Sequence, residues 1–454
     1  MSDLLSAVSY SESKQQSSLD ALIEFLKIPS ISALSEHKQD VIAAANWCAA
    51  DLHNLGMENV QVLPTDGHPI VLGSWLHAGS EAVTILVYGH YDVQPTDPID
   101  EWLSQPFDPD IRGENIFARG ATDMKAQIVA FLKAVEAFKN SGGLPVNLKF
   151  MLEGEEEIGS PNLETFIQDN KEYLSSDFCL NLDAGILAPD IPSIMFGLRG
   201  LAYYEIRLQG PAADLHSGKF GGAIENPAFV LCDLIAGMKE ESGRVTLPGF
   251  YEKVRPLSNE ERADLASLPQ TEEWWMEQSG AKALPQEEYT ATERATARPT
   301  LEVNGILSGF TGEGSKTVLP AAAMAKISMR LVPDQTPEEV RKSLEAYLKE
   351  NTPPTVSLEL IEWAGCNPGI MDRVTPAVRA ASRALETVFG KEPLFTRDGG
   401  SVPVVGIIKD LLGIDSLLLG FGLPDDNPHA PNEKQHLPSF YKGIETFIRF
   451  MDEI

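Results

Sequence analysis

VTILVYGHYDVQP, residues 83–95, is a short apolar run that stops abruptly at His90 and Asp92. Val83 to Tyr88 is rich in branched side chains without strict alternation, the composition of a strand covered on both faces. In an open α/β sheet, ligands bind just beyond the carboxyl ends of strands, where loops free polar side chains to converge. The pattern repeats on either side. Strands are expected at Val146 to Leu152 and Phe178 to Leu182, alternating with helices at Leu19 to Lys27, Gln39 to Leu55, Met124 to Lys139 and Leu163 to Asn170.

From about Leu198 the rhythm changes to strand (Ala202 to Leu208), helix (Pro227 to Lys239), strands (Leu301 to Ile306, Ala325 to Leu331), helix (Pro337 to Glu350) and strand (Thr355 to Trp363). That order predicts a split β-α-β, ferredoxin-like unit. Gly243 to Arg298, with four prolines and the Trp274-Trp275 pair, reads as an insertion within it, because a structureless loop of that length is unusual. After Pro368 the α/β character returns, with helices at Pro376 to Phe389, Val404 to Leu412 and Ser439 to Met451 and a strand at Ser416 to Leu419. The expected architecture is therefore an α/β domain (1–197 and 367–454) interrupted by a second domain (198–366).

Composition narrows the function. A chain of 454 residues exceeds one ordinary core, and 43% hydrophobic with 22% charged residues is globular. A net charge of −30 disfavours nucleic acid and anionic membranes as partners. No run reaches the 18 apolar residues of a spanning helix, and the N-terminus has no basic segment followed by an apolar one, so a cytoplasmic location is the default expectation. Cys48, Cys179, Cys232 and Cys366 are scattered, which suggests neither a disulfide framework nor a cysteine zinc site; three of them sit among apolar neighbours and read as buried thiols.

Chemistry concentrates in five segments. YGHYDVQP offers His90 and Asp92, in which the carboxylate can support the imidazole; alone, H-x-D is a weak signal. RGATDMKAQ offers Asp123 at a helix start, where an N-cap is the commoner role and a carboxylate bridging two cations the alternative. LEGEEEIGS places Glu155, Glu156 and Glu157 after an apolar run, either as a solvated charge cluster or as ligand and proton acceptor beside a cation. Asp183 in CLNLDAG follows another run, and His429 lies in GFGLPDDNPHAPNEKQHL after the Ser416 to Leu419 strand. Four of these five candidate ligands sit at apolar strand ends. A His and carboxylate set without cysteine suits Zn²⁺, with manganese and cobalt chemically compatible, and a shared carboxylate suits two ions roughly 3.5–4 Å apart.

In this order the five segments resemble the metallopeptidase family that contains cytosolic nonspecific dipeptidases, carnosinases, acetylornithine deacetylase, succinyl-diaminopimelate desuccinylase and glutamate carboxypeptidase. The resemblance spans nearly the whole chain. It implies a zinc-peptidase catalytic domain with a mixed central sheet flanked by helices, and an inserted lid and dimerisation domain. It also implies two divalent metal ions per subunit, one held by His90 and Asp183, the other by Glu157 and His429, with Asp123 bridging. The base precedes the glutamate ligand in this family, and Gly159-Ser160 sets the register, making the base Glu156; Asp92 corresponds to the other catalytic acid.

DLHSGKFGG around His216 is similar to the lid motif of the dipeptidase branch, in which the histidine crosses a homodimer interface to stabilise an oxyanion. Thr317 in SKTVLP, Arg330 in SMRLVPD and Ser401 in DGGSVP match that branch's substrate-binding positions. On the residues alone, an exposed turn histidine is the commoner reading of His216 and a surface ion-pair partner that of Arg330. The implied activity is hydrolysis of small peptides by water activated between the metals. The rivals are an N-acyl amino acid deacylase or desuccinylase on the same site and a non-catalytic metal-binding scaffold. A two-metal phosphatase is disfavoured because no phosphate-cradling glycine loop accompanies these residues.

Overall fold

The computed structural model describes residues 3–285 and 288–454 and divides into two compact units. One comprises the chain up to Phe196 with Met371–Thr396 and Ile407–Ile454; the other comprises Gly197–Ile370 and Arg397–Gly406. Arg397–Gly406, expected in the flanking domain, thus groups with the second unit.

The first unit is built on a mixed sheet. Its strands run in the order Glu58–Leu63, Ile70–Trp75, Asn147–Glu153, Thr84–His90, Phe178–Asn181, Ser416–Leu418, Ser193–Leu198. The four central strands, from Asn147–Glu153 to Ser416–Leu418, are mutually parallel. Their burial explains the composition: in Thr84–His90 every residue after Thr84 is buried, and Phe178–Asn181 is buried throughout. Parallel strands deliver all their carboxyl ends to one rim, which is where the sequence motifs fall.

Helix Ala126–Lys139 fills one face, with eleven buried residues, and helix Leu437–Glu453 packs on it. Phe131 sits edge-on to Phe150 at 6.0 Å and to Phe447 at 5.2 Å, which welds sheet and both helices. The sequence reading missed helix Asp3–Ser13 and the strands Glu58–Leu63, Ile70–Trp75 and Ser193–Leu198. Glu58–Leu63 is an edge strand with no fully buried residue, so it carries no apolar signature.

The second unit contains a four-stranded antiparallel sheet ordered Thr300–Ser308, Ala322–Leu331, Gly200–Gln209, Ser357–Cys366. Helices Pro227–Gly237 and Pro337–Asn351 supply Val230, Leu231, Leu234, Leu344 and Leu348 to its core. This is the split β-α-β arrangement. Among the described residues of Gly243–Arg298 lie three short helices, Asn259–Ser267, Glu272–Ser279 and Ala291–Ala297, the first and last closed by capping boxes at Ser258/Glu261 and Thr290/Glu293. Only Cys48 and Cys179 are buried cysteines; Cys366 is partly covered, and Cys232 is exposed on helix Pro227–Gly237, against the expectation of three buried thiols. No helix among the described residues is long and apolar enough to cross a membrane.

Phe131 occupies the junction of sheet and helices, so Phe131→Ala should destabilise this unit by about 3–5 kcal/mol. Urea unfolding followed by fluorescence checks this, and a loss under about 1 kcal/mol would show that the junction repacks.

Candidate metal centre and active site

His90 ends the strand Thr84–His90 and is fully buried. Its Nε2 lies 3.0 Å from Asp123 Oδ1 and 4.0 Å from Asp183 Oδ2. The other oxygen of Asp123, Oδ2, is 2.9 Å from His429 Nε2, which in turn is 3.1 Å from Glu157 Oε2. One carboxylate therefore faces two imidazoles, each accompanied by a second carboxylate. The donor atoms of His90, Asp123 and Glu157 lie within 4.8 Å of one another. All five candidate ligands are brought together.

Each is placed by its local chain. Asp183 follows the strand Phe178–Asn181, and the Asn181 side chain accepts its backbone N–H at 2.8 Å. Asp123 does not cap the following helix, which becomes regular only at Ala126; Asp123 and Met124 have non-helical dihedrals. His429 has φ of 62°, in the left-handed region that residues other than glycine adopt uncommonly. Its side chain is 56% exposed, so the site meets solvent on that side.

Asp92 stands behind these groups. It is fully buried, and its two oxygens accept the backbone N–H groups of Glu156 (3.3 Å) and Glu157 (3.1 Å). Its backbone carbonyl lies 3.1 Å from His90 Nδ1, and its Oδ1 lies 3.5 Å from the same nitrogen. Asp92 thus orients an imidazole on one side and the glutamate loop on the other.

The three consecutive glutamates separate by partner. Glu155 is buried, accepting from His68 N at 2.9 Å and Asn162 Nδ2 at 2.8 Å, which ties down the loop. Glu157 accepts from Gln94 Nε2 at 2.8 Å while facing His429. Among the described residues, none donates a hydrogen bond to the Glu156 carboxylate. Glu156 is the one of the three with a carboxylate left unengaged.

The electrostatics have one cause, an excess of negative charge in a sheltered place. Burial, with the Asp183 and Glu157 charges behind it, pushes Glu156 up to about 8. Burial and the Asp123 charge lift Asp183 up to about 7. On Asp123, burial is outweighed by the hydrogen bonds from His429 and His90, which hold its carboxyl well below the usual range. Burial opposes charge on His90, yet its bonds to Asp123 and Asp92 raise it well above the ordinary imidazole value. His429, held first by Asp123 and then by Glu157, rises to about 10. Divalent cations would relieve this imbalance, and the nitrogen and oxygen donors fit them.

The residues proposed for substrate lie in the second unit. His216 is exposed at the end of a two-residue strand paired with Val318–Leu319, and its Nδ1 accepts the Gly218 N–H at 3.0 Å. Thr317 adjoins it, its carbonyl accepting the Ser217 N–H at 3.1 Å. Arg330 donates to Ser401 Oγ at 2.8 Å.

Residues 86–453 match the peptidase family M20/M25/M40. The chain belongs to this family. It is 33% identical over 451 residues to the Cys-Gly metallodipeptidase DUG1 of Candida albicans, covering 94% of this chain and 92% of that protein. It is 31% identical to the human Beta-Ala-His dipeptidase over 421 residues, covering 90% of this chain and 82% of the relative. Among solved structures, the M20 family metallo-carboxypeptidase Sso-CP2 from Sulfolobus solfataricus matches with a TM-score of 0.85 at 35% identity, over 96% of this chain and 98% of that one.

Sequence reasoning missed the support beneath Asp123 in this M20 member. Glu433 is buried against Arg119 at 2.7 Å and accepts the backbone N–H groups of Gly120 (2.9 Å), Thr122 (3.0 Å) and Asp123 (3.2 Å). Burial, with the Asp123 charge behind it, raises Glu433 to about 7 against the lowering effect of Arg119. No spacing rule distinguishes Glu433 from the chain's other acids. Glu433→Gln keeps the shape but leaves the Arg119 charge uncompensated and loosens the Asp123 loop. Metal affinity, titrated against a chromophoric chelator, should fall roughly 10–100-fold, and an unchanged affinity would remove this positioning role.

Proposed function

We propose that this M20 member is a dinuclear-metal dipeptidase in which His90 and Asp183 hold one ion, Glu157 and His429 the other, and Asp123 bridges them. The observation that carries the reading is Asp123, whose two oxygens face His90 at 3.0 Å and His429 at 2.9 Å. Nitrogen and oxygen donors without cysteine favour Zn²⁺, with Mn²⁺ or Co²⁺ compatible. Bound ions would acidify a water molecule and polarise the scissile carbonyl.

The chain's own residues do the rest. Glu156 takes the proton of the attacking water and returns it to the leaving amine, a task suited to a sheltered carboxylate that, unlike Glu155 and Glu157, accepts from no side-chain or backbone donor among the described residues. Asp92 fixes the Glu156–Glu157 backbone and backs His90. Arg330, steadied by Ser401 and aided by Thr317, whose backbone carbonyl accepts the Ser217 N–H of the lid motif, grips the substrate's terminal carboxylate through its planar fork.

The protein works as a homodimer formed through the second unit, so that His216 of the partner subunit stabilises the oxyanion. The support is its tautomer: Gly218 N–H donates to Nδ1, which leaves the proton on Nε2 as an exposed donor. Small peptides are the substrates, and the four free cysteines suit the reducing cytoplasm.

A second reading, a carboxypeptidase acting on longer peptides, is favoured by the likeness to the Sulfolobus enzyme. A series of dipeptides, tripeptides and N-acyl amino acids, run on metal-loaded and chelated protein, separates these readings and the deacylase alternative. Dipeptides should be cleaved fastest, and chelation should abolish turnover.

Glu156→Gln should retain both metals and lose turnover by about 10³-fold or more; near-normal hydrolysis would sink the base assignment. Mixing Glu156→Gln with His216→Ala should restore part of the activity through hybrid dimers, and no recovery at any ratio would remove the role in trans.

A further inference from the structure

The second unit carries a structural chain that leads from the insertion to Arg330. The insertion is fastened at its base: Arg255 forks onto Asp334, with NH2 2.7 Å from Oδ1, and Lys253 pairs with Glu339. Its helices are fastened to each other, since Arg262 holds Glu293 at 2.7 and 3.1 Å and Trp275 Nε1 donates to Thr292 Oγ1 at 2.8 Å. Two of them then reach the loop Asp398–Ser401. Glu261, at the third position of its helix, pairs with Arg397. Gly399 lies so close to the last turn of Ala291–Ala297 that an added Cβ would meet the Ala295 carbonyl at 2.4 Å.

Arg199 closes the ring. Its Nε donates to the Gly399 carbonyl at 3.0 Å, its backbone N–H to the Gly400 carbonyl at 3.1 Å, and its NH1 to the Arg298 carbonyl at 3.3 Å. The loop so held presents Ser401 to Arg330 at 2.8 Å. Burial first, and the Arg330 charge second, press Arg199 down to about 10, a repulsion that an incoming carboxylate would ease. Among the described residues, the insertion's contacts toward this loop end at Arg397 and Gly399, shortly before Ser401 in the chain.

We propose that Gly243–Arg298 is a specificity element: through Glu261–Arg397 and the Gly399 contact it fixes the Asp398–Ser401 loop and so sets the grip of Arg330 and Ser401 on a free C-terminal carboxylate. This rests on the reading of Arg330 as the carboxylate grip. Glu261, Arg397 and Gly399 are positioning residues, touching no substrate themselves. They should govern discrimination between a peptide acid and its amide, not the chemical step.

The test compares alanyl-alanine with alanyl-alanine amide on the metal-loaded full chain. Glu261→Gln removes the charge but keeps the capping box, which accepts either residue at that position. It should raise KM for the acid about tenfold, the worth of a charged hydrogen bond, with kcat within about twofold and the amide unaffected. Arg397→Met should behave alike, and the charge exchange Glu261→Arg with Arg397→Glu should recover the acid preference. Unchanged KM in both single variants overturns the proposal. So does a loss confined to kcat, an equal effect on acid and amide, or an exchange that recovers nothing. Arg330→Met tests the underlying reading separately: if it leaves the acid preference intact, the carboxylate grip is elsewhere, whatever the insertion variants do.

Discussion

Two imidazoles on either side of one carboxylate set the terms for the first unit. Asp123 can face His90 and His429 together only because its loop is held rigidly from behind, and that loop hangs on the buried Arg119–Glu433 pair. A buried ion pair is stabilising only when its remaining hydrogen-bonding capacity is filled. Here three backbone N–H groups complete Glu433 and the Pro95 carbonyl accepts from Arg119, while Arg119 Nε has no hydrogen-bond partner among the described residues, so the desolvation cost of the pair is offset in part and the loop is fixed. The same device recurs at Asp92, a buried acid filled by the N–H groups of Glu156 and Glu157. Acids that hold neither metal nor water in this reading position the acids that do.

The parallel centre of the sheet gives those loops a common address. His90 ends one parallel strand, the glutamate run and Asp183 follow two others, and His429 follows the fourth. Because parallel strands share direction, residues far apart in sequence converge without any strand having to reverse. Convergence of so many carboxylates would be unstable on its own, and the raised pKa values of Glu156, Asp183 and His429 are its signature. The second unit solves a different problem, using an antiparallel sheet for its core and a stapled three-helix insertion to steady a glycine loop.

The central strands and long helices were legible because burial on both faces demands continuous apolar runs, and Thr84–His90 and Ala126–Lys139 supply them. Glu58–Leu63 was not, since a half-exposed edge strand needs no such run. Position alone left Asp123 open between a helix cap and a bridging carboxylate; its turn toward the histidines depends on partners more than 30 and 300 residues away. The buried thiol expected of a cysteine on an apolar helix failed at Cys232 because that helix, Pro227–Gly237, turns this residue outward.

The sequence by itself determined which residue types end the strands, and hence the candidate ligands His90, Glu157, Asp183 and His429, since the pattern that makes a buried strand also marks where it stops. Only the tertiary structure decided which of three adjacent glutamates is left unengaged: His68 and Asn162 claim Glu155, Gln94 and His429 claim Glu157, and Glu156 is left without a donor. It also revealed Glu433 and the Glu261–Arg397 link. Such roles arise from long-range pairing in three dimensions, and an acid committed to a distant backbone looks, in sequence, like any acid at the surface.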